Sequence, residues 1–349
     1  MQRTNYIIAL LAGLIACSAL LVGACRKPGT PAMTEPTPLS FTVPAGFPAV
    51  KYNLAENPLT REGFELGRRL FYDGRLSKDG NFPCASCHQQ FAAFATFEHD
   101  LSHGFDNQFT TRNAPGLANL AWQAEFHWDG GVNHLDLQPL APLTAPNEMA
   151  EDLSNVLDKL RRDTGYPRQF RAAFGTDEIN SQRMLKALSQ FMVPMVSANS
   201  KYDKVKRGEG TFYYYEQAGY ETFKAKCATC HTEPLFTDFS YRNVGLPLST
   251  SLKDYGRMRI TSRREDSLRF RVPSLRNVAL TFPYMHDGRF WTLEAVLDHY
   301  AGKVQQGPTI DPLVAPGISL SSVEKVNLVS FLRTLTDSTF IRDTRFAQP

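Results

Sequence analysis

Two short runs constrain this chain more than anything else in it: Cys84-Ala85-Ser86-Cys87-His88 and Cys227-Ala228-Thr229-Cys230-His231. Each is a Cys-x-x-Cys-His run, the attachment signature for a c-type haem. The two thiols bond to the porphyrin edge, and the adjoining histidine reaches the iron as its proximal ligand. Residues three apart lie on one side of a helical turn, so both sulfurs and the imidazole can face one ring. Two such runs in one chain point to a di-haem redox protein. A zinc site would draw its Cys pairs from opposite halves of the chain, whereas structural zinc ligands usually lie closer together. A disulfide framework would give no role to two correctly placed histidines.

The first 24 residues read as an export signal. Arg3 gives a thin positive start, Tyr6 to Val22 is an apolar run, and small residues follow. Val22-Gly23-Ala24-Cys25 resembles a bacterial lipoprotein cleavage box, with Cys25 as the lipidated first mature residue. Leu14 to Cys17 is a weaker version, because it would leave apolar sequence after the cut. An uncleaved membrane anchor is the alternative, since the run is just long enough to span with tilt. The expected location is the periplasmic side of a bacterial membrane, lipid-anchored through Cys25, or soluble in the periplasm. Of the six cysteines, Cys17 and Cys25 belong to the signal and the other four to the haem runs, so no thiol is left as a nucleophile.

The formal charge of +3 is too small to suggest a nucleic-acid partner. The richest basic stretch, Arg257 to Arg276, is interleaved with Glu265 and Asp266 and reads as a solvated loop. Arginines that hold haem propionates could also come from it. Residues 25–50 are rich in Pro, Thr, Gly and Ala and read as a flexible tether.

The body repeats itself. Glu62 to Tyr72 is a helical pattern leading to the first haem run, and Tyr215 to Lys226 leads to the second. Downstream come the pairs Arg112-Asn113 and Arg276-Asn277, followed by Trp128-Asp129-Gly130 and His286-Asp287-Gly288. Further helical stretches are Asp152–Arg162, Ser181–Val193, Thr292–Tyr300 and Ser321–Leu335, the last opened by a Ser321/Glu324 capping-box pattern. The expected class is mainly α, with long loops and little β. Two cytochrome c-like haem domains, 51–210 and 211–349, are expected to face each other. Two haems suit a two-electron task such as reducing peroxide. The reacting haem then needs an open face and an acid–base group above it.

The chain resembles the bacterial di-haem cytochrome c peroxidases and their MauG-type relatives, which oxidise protein tryptophans. The resemblance rests on both haem runs, on TRNAPGLANLAW (residues 111–122), on WDGGVNHLDLQPLAPLTAPNEM (128–149), and on VPSLRNVALTFPYMHDG with LEAVLDHY (272–288 and 293–300). It implies two covalently bound haem c groups. It also implies peroxide reduction through a high-valent iron at the N-terminal, peroxidatic haem, with the C-terminal haem transferring electrons from a small periplasmic cytochrome c or cupredoxin. It allows a homodimer. Position by position, it makes Glu148 the catalytic glutamate, Gln138 the glutamine beside it, and Trp128 the aromatic between the haems. His103 falls where gated peroxidases carry a removable ligand on the first iron, with His99 as the fallback and Gly104 permitting loop movement. Tyr300 stands where peroxidases ligate the second iron with methionine, as in MauG-type enzymes; a phenolate there favours ferric iron. His299 or Met285 is the alternative ligand. The resemblance further implies calcium on Asn113 and the backbone oxygens of Thr281 and Pro283. It places His286 near the haems without a role, and His127 and His134 are read as non-ligands. A MauG-type tryptophan oxidase and a non-enzymatic electron-transfer cytochrome stay open beside the peroxidase.

Overall fold

The computed structural model describes residues 35–349, and within them Pro36–Pro349 form one unit. The export signal, Cys17 and Cys25 lie outside the described residues. In chain order the helices are α1 (Arg61–Phe71), α2 (Cys84–Cys87), α3 (Leu140–Thr144), α4 (Leu153–Arg162), α5 (Tyr166–Phe174), α6 (Ser181–Met192), α7 (Lys201–Lys206), α8 (Tyr214–Lys226), α9 (Met258–Thr261), α10 (Leu293–Gly302) and α11 (Ser322–Arg333). Among the described residues the sheet is one antiparallel pair, β1 (Tyr241–Arg242) and β2 (Phe270–Arg271). The protein is therefore mainly α with little sheet.

Helix starts follow local chemistry. Thr60 caps α1 by accepting the Gly63 amide, and Asn180 caps α6 by accepting that of Arg183. At α11 the Ser321/Glu324 capping box forms in both directions. α5 and α7 have no counterpart in the sequence reading; α5 carries Pro at its start and ends on Gly175 in the left-handed conformation.

Each half is built on a crossed helix pair, and the two crossings are alike. α1 lies on α6 through Gly67, where a β-carbon would stand 1.9 Å from the Ala187 carbonyl oxygen and 2.9 Å from Phe191 Cβ. α8 lies on α11 through Gly219, where it would stand 1.9 Å from the Asn327 carbonyl oxygen and 2.9 Å from Phe331 Cβ. Phe191 and Phe331 are fully buried at these crossings. Glycine is required because the backbones touch.

The repeat has a different register from the one expected. Asn119 and Asn277 both take positive φ, 63° and 61°, and each opens a 3-10 turn, Leu120–Trp122 and Val278–Leu280. Next, Phe126 bridges Val132, and Tyr284 bridges Phe290. The Trp128/His286 pairing fits this register, but Arg112-Asn113 is not the partner of Arg276-Asn277; Ala118-Asn119 is. The shared feature is an asparagine able to sit in the left-handed region, and the repeated Arg-Asn dipeptide is coincidental.

A buried polar chain ties the halves together. Asn119 Oδ1 accepts the Ser197 amide (3.0 Å) and Asn277 Oδ1 accepts the Asp337 amide (2.8 Å). Ser197 Oγ donates to Asp337 (3.3 Å) and accepts from Asn277 Nδ2 (3.0 Å). Stranding any one of these buried groups costs about 1–3 kcal/mol.

Three expectations are corrected by the packing. The stretch from Thr37 to residue 50 is not a free tether: Thr37 bonds Glu62, Trp122 donates to the Pro48 carbonyl (2.8 Å), and Phe41 and Phe47 flank the Trp122 ring. The cores do not divide at residue 210, since Tyr202 already belongs to the second core and Phe340 and Phe346 return to the first. The 257–276 stretch is a solvated loop only in its middle, where Arg259, Arg263, Arg264 and Glu265 are exposed; its two ends are held. Arg276 is fully buried in a two-pronged pair with Asp203, Arg271 is buried, and Arg257 stacks on Tyr241 and pairs with Glu125.

Candidate active site

Both Cys-x-x-Cys-His runs form compact turns. In the first, α2 carries Cys84 and Cys87, and the His88 amide closes onto the Cys84 carbonyl. In the second, Cys227 caps α8, and the His231 amide closes onto the Cys227 carbonyl (3.0 Å). All four thiols are free of disulfides. Burial pushes Cys84 and Cys227 up to about 12, which sets them apart from reactive thiolates. Among the described residues no three His, Cys, Asp or Glu side chains converge as a metal cluster.

Each histidine is oriented from behind. His88 Nδ1 pairs with the Phe94 carbonyl at 2.8 Å, and His231 Nδ1 with the Phe236 carbonyl at 3.0 Å. With Nδ1 engaged as the donor, Nε2 is left as the lone-pair face suited to iron. Burial lowers the pKa of both rings and keeps them neutral, as a ligand must be.

A cavity of about 270 Å³ opens over the second run. Cys227, Cys230 and His231 line one side, and Tyr300 and Met285 also face into it. Burial, with the two thiols nearby, raises the Tyr300 pKa. His299 is turned away, its Nε2 engaged by the Val244 carbonyl at 2.8 Å. The cavity is mostly apolar, with one telling exception. Arg271 is buried in its wall with no carboxylate against it among the described residues; its Nε donates to the His127 carbonyl (3.3 Å), and burial lowers it to about 10. A porphyrin fits this cavity on three counts: thiols and imidazole on one wall, apolar faces for the ring, and a guanidinium for a propionate.

Trp128 forms part of the same cavity wall, its Nε1 donating to the Asn113 carbonyl at 2.8 Å. Asn113, Thr281 and Pro283 also line it. The Asn113 amide donates to the carbonyls of His99 (3.3 Å) and Asp100 (3.1 Å), while its Oδ1 accepts nothing among the described residues. His286, buried, stacks on Phe270 at 3.7 Å, and burial lowers it to about 4.

Around the first run, Ser102 and Glu148 both lie close enough to act on the Cys87 thiol. Glu148 follows α3 and Gln138 precedes it. Neither side chain makes a hydrogen bond among the described residues. Burial alone raises the Glu148 pKa, with no cation to oppose it. His103 is half-buried, its Nδ1 held by Asn107 Oδ1 at 2.8 Å, its ring against Phe109 (4.4 Å) and His99 (5.4 Å). His99 is exposed. Gly104 does not loosen this loop. The Phe105 amide bonds the Glu148 carbonyl (2.7 Å), and a β-carbon on Gly104 would stand 2.3 Å from the Asn147 oxygen, so the glycine lets two backbones clasp. His134 accepts the Asp136 amide as a turn cap, and His127 bonds the Gln138 backbone.

From sequence, Arg271 is only one of several arginines in a stretch that could supply a propionate partner, and Arg112 only half of a repeated dipeptide; the Arg112 fork, which holds Asp254 and Asp129 (both at 2.6 Å), is not foreseen. An arginine's burial depends on distant segments and leaves no local signal.

The family described as di-haem cytochrome c peroxidase matches residues 61–211. A curated methylamine utilization protein MauG from Methylorubrum extorquens is 36% identical over 285 residues, covering 80% of this chain and 79% of the relative. The chain belongs to the di-haem cytochrome c peroxidase and MauG family. A cytochrome c551 peroxidase from Nitrosomonas europaea is 33% identical, covering 81% of this chain and 82% of the relative. A solved MauG-like protein associated with microbial copper homeostasis superposes with a TM-score of 0.80 at 34% identity, covering 89% of this chain and 99% of that one. Family membership brings two c-type haems, consistent with the two runs. Among the described residues no helix is long and apolar enough to cross a membrane.

Proposed function

We propose that the protein reduces hydrogen peroxide to water with electrons from a small donor, a cytochrome c or a cupredoxin, on the periplasmic side of a bacterial membrane. The observation that carries this reading is Glu148, a carboxyl beside the first haem run whose pKa is raised by burial and which no neighbour claims. A haem held by Cys84, Cys87 and His88 would supply one-electron redox chemistry at this site. The chain's residues supply the proton chemistry. Ionised Glu148 takes the proton from one peroxide oxygen and returns it to the other, so that water leaves and not hydroxide. The Gln138 amide orients the peroxide. His103, with Nδ1 held by Asn107, presents Nε2 as the removable ligand that gates this face. Trp128 shortens the electron path between the two sites. Calcium on Asn113, Thr281 and Pro283, and a lipid anchor through Cys25, belong to the same reading.

Tyr300 favours a second reading. A phenolate ligand stabilises ferric iron and makes the second haem a poor acceptor from a high-potential donor. The chain would then be a MauG-type oxidase withdrawing electrons from a tryptophan of a partner protein. A pure electron-transfer role needs neither Glu148 nor Gln138.

The test is steady-state peroxide consumption with reduced cytochrome c or cupredoxin as donor. Sustained turnover is expected. Peroxide-dependent oxidation of a partner tryptophan, with no turnover on either donor, would replace this reading with the second.

A further inference from the structure

The basic excess of the chain is gathered in one loop. Between Lys253 and Arg269 stand six basic and three acidic residues, an excess equal to the +3 of the whole chain, so the rest of the sequence is balanced. The loop is ordered and closed on itself. The Leu268 amide bonds the Tyr255 carbonyl (2.9 Å), the Arg257 amide bonds the Arg269 carbonyl (2.9 Å), and Thr261 Oγ1 donates to Asp266 (2.8 Å). Of its acids, Asp254 is buried against Arg112 and Asp266 is tied to Thr261. Lys253, Arg263 and Arg264 are exposed and make no ion pair among the described residues, and Arg259 stands 3.9 Å from an Asp254 that Arg112 already holds. On the same loop Tyr255 and Ile260 are 38% and 49% exposed. The lysines of the α8–α11 crossing are matched instead, Lys226 by Glu324 and Lys325 by Asp298.

The position of the loop gives this charge a meaning. Its base lies over the Trp128–Gly131 turn: Arg257 Nη1 donates to the Asp129 carbonyl (3.1 Å), and a β-carbon on Gly131 would stand 3.0 Å from Ile260 Cδ1. Directly after the loop, the Arg271 amide bonds the Trp128 carbonyl (2.7 Å). Exposed Ile260 therefore touches the turn that carries Trp128, and Trp128 lines the cavity over the second run.

We infer that this loop is the docking surface for the electron donor, and that the donor is an acidic protein whose carboxylates surround its exposed redox centre. This deepens the peroxide reading above and rests on it for the direction of electron flow. Tyr255 and Ile260 supply apolar contact, while Lys253, Arg259, Arg263 and Arg264 supply the charge that draws and orients the donor. Attraction of this kind raises encounter rates about 10–10³-fold and fades with salt. A transient redox partner needs only a small interface, so one loop suffices. The step moves one electron and no atoms: the donor is oxidised and the second haem reduced, and two deliveries match the two electrons that peroxide takes up. An anionic membrane also attracts arginines, but that attraction gives no reason for the patch to lie over Trp128, whereas a donor has to dock within reach of the electron path.

The test is binding and turnover of the mature di-haem protein with two cytochromes c, one acidic and one basic. Binding is read by calorimetry with the zinc-substituted acidic cytochrome, which carries no redox-active iron. At about 10 mM salt the screening length is about 30 Å. There Arg263→Glu/Arg264→Glu should weaken binding and raise the donor KM by at least about tenfold, with kcat nearly unchanged. The control pair Arg162→Glu/Arg168→Glu, exposed on α4 and α5, changes net charge equally and should behave as the parent. At about 1 M salt, where screening acts within about 3 Å, the variants should converge. An Arg263/Arg264 variant that binds the acidic cytochrome as the parent does overturns the inference, as does an equal or stronger affinity of the parent for the basic cytochrome. A variant that loses only its binding to phosphatidylglycerol vesicles assigns the loop to a membrane and overturns it too. If no donor, artificial ones included, supports turnover, the peroxide reading has failed, and the binding arm alone decides the surface: affinity drops in the Arg263/Arg264 variant, or the inference falls with it.

Discussion

Replacing Glu148 by glutamine separates a proton-handling role from a packing role, because the two predict opposite results. The side chain makes no hydrogen bond among the described residues, and Gln has nearly its shape, so no partner is stranded. Its pKa is raised by burial with nothing to offset the cost of the charge. A carboxyl raised in the folded state stabilises the fold fully below its unfolded pKa. That contribution is lost as pH climbs through the folded value, so at neutral pH ionised Glu148 works against folding. Glu148→Gln should therefore leave thermal stability at pH 7 unchanged or higher, with both haems bound. Turnover should fall about 10²–10⁴-fold, the contribution of a positioned acid–base group and equivalent to about 3–5 kcal/mol of barrier. In the parent protein, turnover should decline as pH drops through the raised Glu148 value, above the ordinary carboxylate range. The assay is peroxide consumption against donor oxidation across pH, with melting curves on the same samples. Turnover within about threefold of the parent would refute the reasoning, since a positioned proton carrier typically contributes at least about a hundredfold.

Other outcomes follow from the same geometry. Tyr300→Met should change the spectrum of the second haem to that of a methionine-ligated iron, and an unchanged spectrum removes position 300 from the coordination sphere. Gly219→Ala pushes a β-carbon into the Asn327 carbonyl and should lower stability by about 1–3 kcal/mol, read as a lower Tm; an unchanged Tm would show that the helix crossing yields freely. On the proposed reading with calcium at Asn113, a chelator should slow electron passage between the haems and re-addition should restore it, whereas Asn113→Ala should be insensitive to both.

The haem attachments, the helices leading to them and the fold class were legible because each has a local signature: a five-residue run, or an apolar face at helical spacing. α11 could be read to its first residue because the Ser321/Glu324 box is a contact between neighbours. What depended on distant segments was not legible. The repeated Arg-Asn dipeptide gave the wrong register, since the position that recurs is set by backbone conformation, asparagine at positive φ in residues 119 and 277. Thr37 to residue 50 has a linker's composition, yet Phe41 and Phe47 enclose Trp122, a partner that lies far along the chain. Arg271 and Arg276 read as loop charges because nothing beside them in sequence reveals the cavity wall or Asp203.

The central claim is that each Cys-x-x-Cys-His turn holds its own covalently bound porphyrin. A pyridine haemochrome assay on matured, purified protein tests it directly. Two equivalents of c-type haem per chain are expected, falling to one in Cys227→Ala/Cys230→Ala; a parent protein carrying one equivalent or none would contradict the account.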